Sequence, residues 1–284
     1  MTYIQGRQNL ACTIFFPVRC SNNCTFCNTK HLYNNFKLEP YHLYKMYESI
    51  EIANNSWIIN EFVITGGEPL ASLDILKEII SRVKDKPVYI NTSLPNVSNI
   101  DECIEYINNE PKIQGVNISR HIGINYDASV CGLGKILAID KYKRINCLIK
   151  PEYTFNDEEL FDFINYYSDP YTLINFRADY RLITPDTLKN RDLVHEWMMK
   201  NFRFEYSNNC LVCNSEFFSD PEKEQVICYH RGLEKSRVDA GKFSYINDVL
   251  IGITGDMYSD WEMENGKPDE ELVRWLKDNK YRDE

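Results

Sequence analysis

Apolar, β-branched runs recur along the chain at 11-ACTIFFPV-18, 61-EFVIT-65, 87-PVYINTS-93, 115-GVNIS-119, 145-INCLIK-150 and 172-TLINFR-177. Each reads as a strand whose length and composition suit a buried sheet. Between them the apolar residues fall at helical spacing. Leu73, Leu76, Ile80 and Val83 share one helical face, as do Ile100, Cys103, Ile104 and Ile107. A further face carries Leu160, Phe163, Ile164 and Tyr167; it is entered through Asn156 as N-cap, with three carboxylates in the first turn. Pro40 suits the first turn of a helix bearing Leu43, Tyr47 and Ile50.

Strands that alternate with helices must pair in parallel, because each helix is the crossover that returns the chain to the same end of the sheet. The repeats number six, short of the eight of a full barrel. The expected class is therefore α/β, a partial (β/α)6 TIM-like barrel over residues 8–200. After residue 200 the rhythm changes to short strand-like pieces at 202-FRFEY-206, 225-QVICYH-230 and 248-DVLIGITGDMYSDW-261, the last with a hairpin turn at Gly255-Asp256. A final helix is expected after Pro268, with Leu272, Val273, Trp275 and Leu276. Residues 201–284 are read as a small C-terminal α+β extension containing cysteines.

Composition narrows the function classes. The chain has 284 residues, 43% hydrophobic, enough for a sizeable core. Thirty-two Lys and Arg against forty-two Asp and Glu leave a net charge of −10, which disfavours nucleic acid and anionic membranes as partners. No apolar run approaches the ~20 residues of a membrane span, and the N-terminus lacks the pattern of an export signal. A cytoplasmic protein is expected. Ten cysteines in such a chain point to metal rather than to a disulfide framework, with the scattered Cys12, Cys103, Cys131 and Cys147 read as small core residues. The aromatic content of 13% recurs at apolar helix positions and is read as core.

Three thiols within eight residues, 20-CSNNCTFC-27, follow the first strand, the end of a parallel barrel where active sites lie. Cys20, Cys24 and Cys27 suffice for three irons of a 4Fe-4S cluster and leave the fourth iron open to another ligand. A zinc knuckle closed by His31, four residues beyond Cys27, is the competing reading. One β/α repeat later, 62-FVITGGEPL-70 ends a strand in two glycines, an acid and a proline. Such glycines let backbone approach a ligand closely, and the carboxylate accepts from an ammonium.

The C-x3-C-x2-C spacing, with Phe26 before the last cysteine and GGEP after the second strand, resembles the radical S-adenosylmethionine (SAM) superfamily. The resemblance implies that Cys20, Cys24 and Cys27 hold a 4Fe-4S cluster whose open iron is chelated by the amino and carboxylate groups of SAM. An electron from the reduced cluster then cleaves SAM to methionine and a 5′-deoxyadenosyl radical. It further implies SAM contacts at Phe26, Gly66, Gly67, Glu68 and Pro69, and at Thr92 and Ser119 at the ends of the third and fourth strands. Arg120, His121, Lys150 and Arg177 also sit at strand ends, as candidates for a substrate or SAM carboxylate. The long segment 120-RHIGINYDASVCGLGK-135 is read as a lid or substrate loop.

The stretch 144–164 followed by 175-NFR-177 is similar to the branch containing the molybdenum-cofactor GTP 3′,8-cyclase, which also carries C-terminal cysteines. Here Cys210, Cys213 and Cys228 give C-x2-C-x14-C, close to the auxiliary-cluster extension called a twitch domain. The chain ends in YRDE, where the cyclase has a double glycine, so a related reaction on another substrate is expected. The three C-terminal thiols suit a second 4Fe-4S cluster, or zinc with His230 as fourth ligand. A small molecule, nucleotide or peptide is the expected substrate, with flavodoxin or ferredoxin as electron donor. A non-catalytic iron-sulfur or zinc protein is the alternative, although it needs neither the GGEP turn nor an open iron.

Overall fold

The computed structural model describes residues 2–22, 24, 27, 29–122, 129–149, 154, 156–178, 184–208, 214–223, 225–230, 237–261 and 267–281. Strand β1 (Thr2–Gln5) precedes six β/α repeats. These are β2 (Leu10–Phe16) with α1 (Pro40–Asn55), β3 (Ile59–Gly66) with α2 (Leu73–Arg82), and β4 (Val88–Thr92) with α3 (Ile100–Asn109). They continue with β5 (Ile113–Ser119) and α4 (Leu133–Leu137), β6 (Tyr142–Ile149) and α5 (Asp157–Tyr167), and β7 (Thr172–Ala178) and α6 (Pro185–Asn201). Strands β8 (Arg203–Asn208), β9 (Ser215–Asp220), β10 (Gln225–His230), β11 (Arg237–Ala240), β12 (Phe243–Ile246), β13 (Asp248–Ile251) and β14 (Met257–Tyr258) follow, and helix α7 (Glu270–Asp278) comes last.

Two compact units form. The first comprises Met1–Thr92, Val97–Gln114 and Lys235–Glu284. Its strands run in the order β14-β13-β2-β3-β4, with β2 parallel to both β3 and β13, β3 parallel to β4, and β14 antiparallel to β13. A separate sheet, β1-β12-β11, belongs to the same unit. All seven residues of β2 are buried, as an interior parallel strand covered on both faces requires. On α2, Leu73, Leu76, Ile79 and Ile80 are buried, and on α3, Ile100, Cys103, Ile104 and Ile107, so the predicted stripes face the core. Helix α1 buries Met46, Ile50 and Ala53 instead of centring on Leu43 and Tyr47, which are half-buried. The face is turned by the Gly255 turn between β13 and β14: Ser49 Oγ donates to Gly255 O at 2.7 Å, placing that turn against the helix backbone.

The second unit comprises Ser93–Asn96 and Gly115–Glu234. Its order is β5-β6-β7-β10-β9-β8, with β5, β6, β7 and β10 parallel and the last two antiparallel. Asn156 caps α5 as its spacing predicts, its side chain accepting from the N–H groups of Glu158 and Glu159. Ile174, Phe176, Ile227 and Tyr229 pack with Leu160 and Ile164 of α5 and Val194, Trp197 and Met198 of α6 in one apolar core. Residues 201–284 contribute to both units, β8 to β10 to this one and the remainder mostly to the first.

Six parallel strands alternating with helices are the α/β, partial (β/α)6 architecture expected from the periodicity, and neither strand order closes on itself. Cys12, Cys103, Cys131 and Cys147 are all buried, as expected of core thiols. No helix among the described residues is long and apolar enough to cross a membrane.

The Gly255 turn yields a direct test. Gly255 has φ +85°, and a Cβ there would lie 2.5 Å from Met46 N. Gly255→Ala is expected to lower stability by at least about 2 kcal/mol, left-handed strain adding to a backbone clash. Gly134 of α4 has open space around it, so Gly134→Ala should raise stability by up to about 1 kcal/mol. Urea midpoints of the two variants check both signs; an unshifted Gly255→Ala midpoint would show that the turn is not docked on α1.

Candidate active site

The chain leaves β2 through buried Pro17 and enters the thiol loop. Cys20 and Cys24 are half-buried and Cys27 is exposed. The loop is shaped by short local bonds: Asn22 N donates to Cys20 Sγ at 3.4 Å, Cys27 N to Cys24 O at 3.3 Å, and Thr29 Oγ1 lies 3.6 Å from Cys27 Sγ. Burial pushes the Cys20 thiol up to about 11, with the Asn22 N–H partly opposing it. At neutral pH the metal-free thiol therefore carries its proton, and any metal that binds it must displace that proton.

The glycines that end β3 hold a second loop against this one. Gly67 has no room for a side chain, since a Cβ would stand 1.7 Å from Val18 O. The next N–H, of Glu68, donates to that same carbonyl at 3.1 Å. Gly66 has φ +95°, and a Cβ there would meet Tyr33 Oη at 2.6 Å. Tyr33, in the 3-10 turn Lys30–Tyr33, clamps both loops: its hydroxyl donates to Phe16 O at 2.8 Å and accepts from Gly67 N at 2.5 Å. Burial pushes this phenol up, so it stays a neutral hydroxyl able to do both. No motif marked Tyr33 in the sequence, because its role depends on two backbone segments far from it along the chain.

Glu68 is only 1% exposed. One of its oxygens, Oε1, accepts from Leu70 N at 3.1 Å and from the Thr92 hydroxyl at 2.5 Å. Pro69 follows at the first position of the 3-10 turn Pro69–Ala71. Thr92, at the end of β4, is itself buried, so what it touches directly is the Glu68 carboxylate.

Cys20, Cys27, Gly66 and Gly67 line one small cleft together with Tyr33 and the exposed cations Arg19 and Lys30. Thiols on one wall and close-approach glycine backbone on the other suit a thiolate-held metal group with an organic ligand beside it. Among the described residues no three His, Cys, Asp or Glu side chains converge to hold a metal ion, and His31 lies exposed on the 3-10 turn.

The remaining sequence-derived residues are placed as follows. Phe26, Lys150, Cys210 and Cys213 lie outside the described residues, as does the middle of the 120–135 segment. Ser119 is half-buried at the end of β5. Arg120 is 2% exposed, and its guanidinium donates to the carbonyls of Ser93, Ser119 and Cys131, which makes it a tie between backbone segments. His121 is buried and accepts from Leu148 N at Nδ1. Arg177 on β7 stands in register with His230 on β10, and buried Cys228 in register with Asn175.

Residues 14–123 match the family model described as the Radical SAM superfamily. The matched span contains the thiol loop, Gly66 to Pro69, Thr92 and Ser119. The superfamily implies a 4Fe-4S cluster and SAM. Among solved structures, hexahistidine-tagged anSMEcpe with bound AdoMet is similar at 14% identity and a TM-score of 0.47, over 68% of this chain and 61% of that one. The chain thus spans about three fifths of that protein's length. No curated protein sequence matches the chain.

Because the Val18 carbonyl occupies the place of a Gly67 side chain, Gly67→Ala must separate the two loops. The variant is expected to melt several degrees below the parent, as about 1–2 kcal/mol of backbone strain would produce. Its Cys20 should also become reactive toward a thiol reagent at neutral pH. Parent-like melting and thiol reactivity together would show that the loops are not in contact.

Proposed function

We propose, from the premise that this chain is a radical SAM enzyme with its superfamily domain over residues 14–123, that Cys20, Cys24 and Cys27 hold the cluster and that the GGEP turn orients SAM. When bound, the cluster supplies the electron that cleaves SAM reductively to methionine and a 5′-deoxyadenosyl radical, which takes a hydrogen atom from the substrate. The observation that carries this reading is the shared cleft of Cys20, Cys27, Gly66 and Gly67.

The chain's own residues divide the work by chemistry. The thiol loop offers three sulfurs and no fourth, so one metal position stays available to SAM. Gly66 and Gly67 present backbone where a side chain would block approach. Glu68 offers a carboxylate to the ammonium of SAM, and Thr92 fixes the rotamer of that carboxylate through the bond to Oε1. Tyr33 acts through Gly67, holding its N–H and so the turn's orientation. Phe26 and Ser119 are assigned to SAM by the same match of motifs.

The substrate is a small molecule, a nucleotide or a peptide, and flavodoxin or ferredoxin is the reductant proposed. Cys210, Cys213 and Cys228 are proposed to bind a second metal group, a 4Fe-4S cluster or a zinc ion with His230. The buried position of Cys228 on β10 supports a role inside the protein rather than at its surface.

The decisive experiment is anaerobic reconstitution with iron and sulfide, followed by dithionite reduction with SAM. Equimolar 5′-deoxyadenosine and methionine are expected, and Cys24→Ala should abolish both; a fully reconstituted parent that forms neither would sink the reading. Glu68→Gln separates charge from shape, since the amide oxygen still accepts from Leu70 and Thr92. That variant should fold normally and bind SAM about tenfold more weakly, the loss of one charge-assisted bond. Equilibrium dialysis with labelled SAM measures it, and unchanged affinity would remove Glu68 from the ammonium site.

A further inference from the structure

Strand alternation gives the β5-β6-β7-β10 sheet of the second unit two unlike faces. Ile118, Cys147, Phe176 and Tyr229 lie on one face, against the helices or buried in its core. The other face carries, in register across the strands, Ser119, Asn146, Asn175 and Cys228. Arg144 lies two residues before Asn146 on the same face. A parallel sheet covered by helices ordinarily reads as apolar on both sides. Here one side carries a polar row beside the apolar Leu148 and Leu173: on β6, Arg144 and Asn146 are only half-buried while Ile145 between them and Cys147 after them are buried.

Two buried atoms on this face lack hydrogen bonds. Asn175 is 1% exposed; its Nδ2 donates to Asn146 Oδ1 at 2.7 Å, yet its own Oδ1 is buried without a hydrogen bond. The Nε of Arg144 is likewise buried and without a hydrogen bond, while the guanidinium carbon lies over the Tyr142 ring, 6.0 Å from its centroid. No ion pair among the described residues reaches Arg144, and no position of this face on β5, β6, β7 or β10 is acidic, in a chain of net charge −10. A buried acceptor left unpaired loses its hydration without compensation, and a charged donor loses more. A buried acceptor without a hydrogen bond and, one register step away on the same face, an arginine Nε without one are the negative image of a ligand that carries an anion with an N–H or O–H donor near it.

We propose that the part of this face formed by Arg144 and Asn175 is a substrate-binding surface, with Arg144 receiving a carboxylate or phosphate and Asn175 Oδ1 accepting from a neighbouring donor of the same molecule. The assignment rests on the radical SAM reading for the word substrate and on the second unit alone for the site. It differs from the strand-end residues considered in the sequence, because Arg144 and Asn175 lie within their strands rather than at their ends.

Calorimetry on the cluster-reconstituted chain, with SAM absent, tests it. Guanosine 5′-monophosphate and an acetylated tripeptide with a free carboxylate are the anionic probes; guanosine and the amidated tripeptide are their uncharged counterparts. One anionic probe is expected to bind at least tenfold more tightly than its counterpart, and which one does so tells a nucleotide phosphate from a peptide carboxylate. Arg144→Gln should erase that tenfold preference and Arg144→Lys should restore part of it. Asn175→Leu should weaken the probe that binds severalfold. Arg144→Met without ligand should unfold at no lower urea concentration than the parent, since it removes an unpaired charge. Neither anionic probe binding, an unchanged preference in Arg144→Gln, or competitive displacement of the probe by SAM would each overturn the proposal. Probe binding without 5′-deoxyadenosine formation would sink only the radical reading, and cleavage without probe binding only this one.

Discussion

A carbonyl oxygen standing where a side chain would begin is the constraint on which the first unit's cleft depends. Val18 O occupies the Cβ position of Gly67 and accepts from the N–H of Glu68. Two loops that follow neighbouring parallel strands are thereby held backbone to backbone, closer than any other residue pair would permit. Tyr33 completes the junction by bonding one backbone group from each side. The sulfurs and the acid of the GGEP turn are therefore presented by one connected piece of backbone.

Burial accounts for how the acid of this junction is held. A carboxylate as enclosed as Glu68 requires hydrogen bonds, and the Leu70 N–H and Thr92 hydroxyl supply them to a single oxygen. Its orientation is thereby set by the fold itself. Arg120 shows the opposite outcome for a buried charge. Its donors are spent on three carbonyls, so it ties backbone segments together and has little left for a ligand.

In the second unit the polar groups are arranged across strands instead of along a loop. Cross-strand register brings Ser119, Asn146, Asn175 and Cys228 into one row, although they are spread over more than a hundred residues of chain. The apolar side of the same strands accounts for their folding. The polar side instead holds two buried atoms without hydrogen bonds, Asn175 Oδ1 and Arg144 Nε, and these single it out.

The amino-acid sequence by itself determined the alternation of strands and helices, the stripes of α2 and α3, the Asn156 cap and the two motifs around Cys20 and Gly66. Each is written in residues a few positions apart, where periodicity and backbone preference act locally. Tertiary structure alone decided the clamp by Tyr33, the bond from Thr92 to Glu68, the turned face of α1 against Gly255, and the placing of Arg144 and Asn175 on one sheet face. These depend on register and on loops meeting across the fold, and a one-residue shift in pairing would send every side chain to the opposite face. Local spacing carries no record of that choice; only the packed chain makes it.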